Sequence, residues 1–209
     1  DRELAMLTNA KSAENLAMAC KEIGAKMIQI STDYVFDGIS GMYNESSPTS
    51  PIQEYGRTKL EGERRAIDVL GSDLCIVRTS VVFDGTSRNF VTWVVDSLRS
   101  GSSISIVQDQ WVCPTSTRFL TKSILKLVEN GFNGIINVSS SDRISRFEMA
   151  QIIAEKFGLD YSKIMPIGMD DLEWKARRPR DSSLDISLLR NITETWKFED
   201  MLEKEFQKL

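Results

Sequence analysis

Short apolar runs alternate with longer stretches of helical spacing along nearly the whole chain, and that alternation constrains the fold most. The runs are Lys26–Ile30, Leu74–Arg78, Ile104–Val107, Gly134–Val138 and a shorter one near Ile164–Ile167. Each has the length and apolarity of a buried strand. Between and around them, apolar residues recur every three or four positions. Ala13, Leu16, Ala17, Cys20 and Ile23 predict a first helix, with Gly24 as its C-terminal cap. Ile52–Leu70 predicts a second, ended by Gly71, and Phe90, Trp93, Val94 and Leu98 mark a third. A fourth helix is expected over Thr117–Glu129, and Ser145 with Glu148 forms the capping box of a fifth that ends at Gly158. A last helix is expected from Phe198. Strands alternating with helices predict an α/β fold of βαβ units, with a parallel sheet covered on both faces.

Composition narrows the chemistry. Hydrophobic residues make up 41% of the 209, which suits an ordinary core, and the net charge of −4 argues against non-specific nucleic-acid binding. No apolar run approaches the ~18 residues of a membrane span, and no secretory signal pattern is seen. Cys20, Cys75 and Cys113 are odd in number, far apart and without a CxxC pair. They read as reduced thiols of a cytoplasmic protein. There is no histidine. Nucleophilic schemes built on histidine and histidine metal sites therefore drop out, and no metal site is expected. Acid–base work falls to Tyr, Lys, Asp, Glu or a thiol.

Two stretches carry such groups. "STDYVFDG", Ser31–Gly38, leaves the C-terminal end of a strand, the edge where open parallel sheets bind ligands. Taken alone, Ser31, Thr32 and Asp33 suit a turn or a helix cap equally well. "YGRTK", Tyr55–Lys59, puts a phenol and an ammonium one helical turn apart on one face. A neighbouring ammonium favours the phenolate and is expected to lower the phenol pKa from its usual ~10. Alone, this spacing also fits an amphipathic surface pair. "KARRPRD", Lys175–Asp181, is the one basic cluster, and by itself reads as a solvated loop.

Together with "YGRTKLEGE", "VRTSVVF", "NF" at Asn89–Phe90, "DQWVCPT" at Asp109–Thr115 and "RRPRDSSLD" at Arg177–Asp185, these stretches change the reading. In this order the chain resembles the extended short-chain dehydrogenase/reductase family, in its dTDP-4-dehydrorhamnose reductase branch. The resemblance implies a Rossmann-like parallel sheet with a small C-terminal α/β substrate-binding region. Residues 1–110 would be the C-terminal part of a dinucleotide-binding domain. Residues 111–209 would be mainly substrate-binding, with some elements interleaved. It also implies reduction of the 4-keto group of a nucleotide-linked deoxysugar with NADPH or NADH. Tyr55 would donate the proton, and Lys59 would hold the nicotinamide ribose and lower the tyrosine pKa. Thr32 would hydrogen-bond the ketone, and Asp33 would contact the sugar. Ser31, Thr79 and Ser80 would lie beside the cofactor. Val81, Asn89, Gln110, Arg177, Arg178 and Arg180 would meet the nucleotide sugar, the arginines through its diphosphate. A homodimer is compatible with the resemblance.

Two departures accompany the resemblance. The family has a tryptophan after R-T-S where this chain has Val81, and its glycine-rich pyrophosphate turn is found nowhere in these residues. Roughly two βαβ units of ~30 residues each, with the first strands of the sheet, are expected outside the chain. Two other activities share the resemblance. One is a nucleotide-sugar epimerase or dehydratase with a tightly held NAD. The other is a non-catalytic regulatory subunit like that of methionine adenosyltransferase, toward which both departures point. These 209 residues alone are expected to be inactive and to bind dinucleotide weakly. Isothermal titration with NADPH checks this, and micromolar binding would overturn it.

Overall fold

The computed structural model describes residues 1–206. The chain opens with α1 (Arg2–Met6), a π-helical turn at Leu7–Lys11, and α2 (Ser12–Ile23), capped by Gly24 in the left-handed region. The helix therefore starts well before the Ala13 expected from spacing. Leu4 and Leu7 are exposed, so its first turns carry no periodic core signal. β1 (Met27–Thr32) leads into a polar loop and α3 (Glu54–Leu70). Helix α3 begins at Glu54, not Ile52, because the Gln53 side chain caps it by accepting from the Tyr55 N–H at 2.9 Å.

β2 (Leu74–Thr79) and the short β3 (Val82–Phe83) precede α4 (Phe90–Arg99). β4 (Ile104–Val107), β5 (Trp111–Val112) and β6 (Thr115–Ser116) then lead to α5 (Thr117–Glu129). β7 (Gly134–Asn137), β8 (Ile144–Ser145), α6 (Arg146–Lys156), β9 (Ile164–Ile167), α7 (Ser187–Arg190) and α8 (Phe198–Phe206) complete the chain.

The main sheet is parallel, in the order β1–β2–β7. β2 is central and every residue of it is buried. Leu74 and Ile76 pack with Ala17, Ala66 and Leu70 on the side of α2 and α3. Cys75 and Val77 point the other way, into the larger core with Ile136, Phe119 and Phe198. A continuous apolar run is what a strand buried on both faces needs. β4 does not extend this sheet. It pairs with β9 in a separate parallel pair and packs against α4 and α6. Ile104, Ile106 and Ile164 bury there, so the apolar faces are satisfied without a fourth place in the main sheet.

The register decides where side chains meet. β1 and β2 run from Met27 beside Leu74 to Thr32 beside Thr79, so both strands end together. Helix α3 is fixed against these ends by Glu63, whose carboxylate pairs with Arg78 of β2 at 2.7 and 3.1 Å. Ser31 of β1 donates to the same carboxylate. Both members of the ion pair are buried, at 3% and 2% side-chain exposure. Close approach is also built in. A Cβ at Gly56 would lie 2.1 Å from the Tyr34 carbonyl, and one at Gly62 would lie 2.3 Å from that of Asn9. Only glycine permits these contacts.

Removing one partner of a buried pair strands the other charge. Arg78→Met should cost about 3–5 kcal/mol, and adding Glu63→Leu should recover most of that loss. Urea unfolding of the single and double variants measures both effects.

Candidate active site

A cavity of about 360 Å³ opens at the C-terminal ends of β1 and β2, and Thr32, Tyr55, Lys59 and Val81 are among its walls. Ligands of parallel sheets bind at this edge. The main sheet places Thr32, and the first two turns of α3 place Tyr55 and Lys59.

Thr32 ends β1 in extended conformation and caps the turn that follows, its hydroxyl accepting from the Tyr34 N–H at 3.2 Å. The same hydroxyl donates to Asp33 at 3.0 Å. Asp33 also accepts from Ser80 at 2.7 Å and Ser182 at 2.6 Å. Three hydroxyls thus hold one buried carboxylate, and burial pushes its pKa up against their opposing effect. Asp33 ties β1, the end of β2 and the C-terminal region into one cluster. Ser80 belongs to that cluster and is itself buried. Thr79 donates to Thr115 at 3.1 Å.

Tyr55 is 46% exposed. Burial raises its pKa above the ordinary phenol value, while a hydrogen bond with the Thr32 side chain works in the opposite direction. Lys59 donates to the Ile30 carbonyl at 2.6 Å. Burial lowers its pKa, and Glu63 one turn further along α3 counters this. The expectation that Lys59 lowers the Tyr55 pKa is corrected here. The strand carbonyl draws the ammonium to itself, and burial, with the Asp33 charge, raises the phenol pKa. The two buried thiols offer no alternative acid or base at neutral pH, because burial pushes Cys75 up to about 11 and Cys113 up to about 12.

Val81 stands out in its backbone. Its φ of +44° is in the left-handed region, which a β-branched residue rarely adopts. Such strain is found at sites where the surroundings over-determine the chain. Here β3 follows at once and pairs with β6, and the Val81 carbonyl accepts from Thr115 at 3.2 Å.

The remaining expected residues separate. Gln110 and Arg178 line a second cavity of about 310 Å³, walled by Phe90, Trp93 and Trp174. The Gln110 side chain also donates to the Pro179 carbonyl at 3.2 Å. Arg178 stacks its guanidinium 4.9 Å from the Trp174 ring and donates to the Tyr34 hydroxyl at 3.1 Å. Arg177 lines a third opening, beside Tyr34 and Tyr55. Arg180 is paired with Asp109, and with Asp170 at 2.6 Å. Asn89 caps α4, accepting from Val91 and Thr92 and donating to the carbonyls of Asp84 and Ser87. Neither of these two lines the cavities described.

Sequence reasoning missed Arg146, which lines both cavities, along with Tyr34 and the three aromatic walls. Arg146 follows Ser145 in a capping box, and that signal marks only a helix start. Among the described residues no acidic or thiol cluster is suited to a metal ion, and no helix is long and apolar enough to cross a membrane.

A family model described as the RmlD substrate binding domain matches residues 1–209. The chain belongs to the RmlD substrate-binding domain family. It is 35% identical to the dTDP-4-keto-6-deoxy-D-glucose reductase of Streptomyces niveus, over 84% of this chain and 62% of that one. It is 33% identical to methionine adenosyltransferase 2 subunit beta of Xenopus tropicalis, over 91% of this chain and 59% of that one. The RmlD-family chain thus spans about three-fifths of the length of these curated relatives. Among solved structures, dTDP-4-dehydrorhamnose reductase from Bacillus anthracis in complex with NADP superposes with a TM-score of 0.94 at 32% identity. That superposition covers 100% of this chain and 74% of the other.

The titration of Tyr55 is directly measurable. Its phenol should ionise above the ordinary ~10, and Thr32→Val should move it higher still, since the Thr32 contact favours the phenolate. Alkaline difference absorbance against Tyr55→Phe reads both, and a Tyr55 that titrates below an exposed tyrosine would contradict the geometry.

Proposed function

We propose that the complete protein reduces the 4-keto group of a nucleotide-linked deoxysugar, dTDP-4-dehydrorhamnose being the favoured substrate, with NADPH or NADH. The observation that carries this reading is the meeting of Tyr55, Thr32 and Lys59 around one cavity at the strand ends. The relatives named as reductases support it.

The site fits the nicotinamide-ribose end of such a cofactor. An ammonium has three donors, and the Ile30 carbonyl takes only one from Lys59. Among the described residues the other two have no acceptor, and they can meet ribose hydroxyls. Ile30 and Val82 give the mouth an apolar rim, at 38% and 42% exposure. The chain's residues include no glycine-rich turn for the pyrophosphate. When bound, the cofactor supplies hydride.

Tyr55 supplies the proton. A phenol is protonated at neutral pH, so Tyr55 is loaded as an acid before the ketone arrives. Thr32 stabilises the growing charge on the ketone oxygen, and to do so its hydroxyl hydrogen leaves Asp33. Asp33 keeps its bonds from Ser80 and Ser182 through that change, so the loop does not lose its anchor. Ser31 supports α3 through Glu63. Arg177 and Arg178 stand at the approach to Tyr55. Residues up to about 110 serve mainly the dinucleotide and the later ones mainly the sugar nucleotide, in a cytoplasmic enzyme with no nucleic-acid or membrane partner.

A second reading, a non-catalytic binding subunit, rests on the 33% identity to methionine adenosyltransferase 2 subunit beta. Turnover separates the two. In the full-length protein, Tyr55→Phe should lose about 10²–10⁴ in kcat, the usual contribution of a general acid, with KM for the sugar nearly unchanged. NADPH consumption at 340 nm is the assay. A Phe variant at full rate would remove Tyr55 from its role, and a wild type with no turnover would favour the binding subunit.

A further inference from the structure

Arg146 stands in the walls of both cavities. Among the described residues its side chain has no hydrogen-bond partner and no ion pair, only the Phe90 ring, whose centroid lies 5.0 Å from the guanidinium carbon. Burial of the guanidinium lowers its pKa. The charged groups that reach it are Asp33 and Arg178. Asp33 is already engaged by Thr32, Ser80 and Ser182. Arg178 is a second cation on the same aromatic cavity, also without an ion pair among the described residues, and it repels Arg146. The enclosed Arg146 guanidinium, with a second cation on the same cavity, favours an anion that joins the two.

The position of Arg146 specifies the anion. It borders the cavity that holds Tyr55 and Lys59, and it borders the one walled by Phe90, Trp93 and Trp174. Aromatic walls suit a flat base, and the catalytic cavity suits the keto sugar. Whatever connects a base in one to a sugar in the other passes Arg146. In a nucleotide-linked sugar that connection is a diphosphate, whose oxygens match the planar guanidinium fork.

We infer that Arg146 is the anchor for the substrate diphosphate, with Arg178 as its partner across the aromatic cavity. This rests on the nucleotide-sugar reading of the site. Arg180, in the basic cluster, is held instead by Asp109 and Asp170.

The test is calorimetric, on the full-length protein, with dTDP, thymidine and inorganic pyrophosphate as probes. Arg146→Gln should weaken dTDP and pyrophosphate by about ten- to a hundredfold, the range of a lost charge-assisted contact, and leave thymidine unchanged. Arg146→Lys keeps the charge without the fork and should fall between. Because the charge has no ion pair among the described residues, Arg146→Gln should unfold at the same temperature as the wild type or higher. Unchanged dTDP affinity, equal losses for thymidine and dTDP, or a lower Tm would overturn the assignment. Pyrophosphate binding that depends on Arg146 in a protein without ketone reduction would sink the reductase reading and leave the anchor standing. Ketone reduction with an unaltered KM in Arg146→Gln would do the reverse.

Discussion

The buried pair of Glu63 and Arg78 sets the geometry on which the site depends. Tyr55, Lys59 and Glu63 lie four residues apart in turn, so they share one face of α3. Glu63 is held from two strands, by Arg78 of β2 and Ser31 of β1. A helix held through one charged residue at a fixed depth has its rotation fixed as well. The two residues one and two turns before Glu63 then face the strand ends. Such pairs contribute little net stability. Their effect here is to define an orientation.

The same logic runs through the cluster at Asp33. A carboxylate buried there is costly, and burial pushes its pKa up. Three hydroxyls offset that cost and in doing so bring β1, Ser80 and Ser182 to one point. Ser182 comes from 149 residues further along the chain. Nearby, Tyr43 bridges Leu184 and Trp111 bridges Asp181. The C-terminal region is thereby woven into the site and supplies Trp174 and Arg178 to the aromatic cavity beside it.

Much of this was legible in the sequence. Strand runs such as Leu74–Val77 are apolar because both faces are buried, and the helices after them kept clear periodicity. Thr32, Tyr55 and Lys59 could be named because their spacing is local: one strand end and one helical turn. The opening helix was less visible, since Leu4 and Leu7 face outward and leave no pattern. The pairing of β4 with β9 was hidden because an apolar run does not name its neighbour. Arg180 and Arg178 look alike in sequence, and one is consumed by Asp109 and Asp170 while the other faces a cavity.

The sequence by itself determined the alternation of strands and helices, the pairing of a phenol with an ammonium on one helical face, and the absence of histidine chemistry. Those properties follow from covalent order and from the fixed periods of helix and strand. Only the tertiary structure decided which charges meet. It gave the Lys59 ammonium to a strand carbonyl, raised the Tyr55 phenol and left Arg146 without an ion pair among the described residues, between two cavities. Burial and long-range contact control those outcomes, because desolvation and Coulomb energies depend on distances that no local spacing encodes.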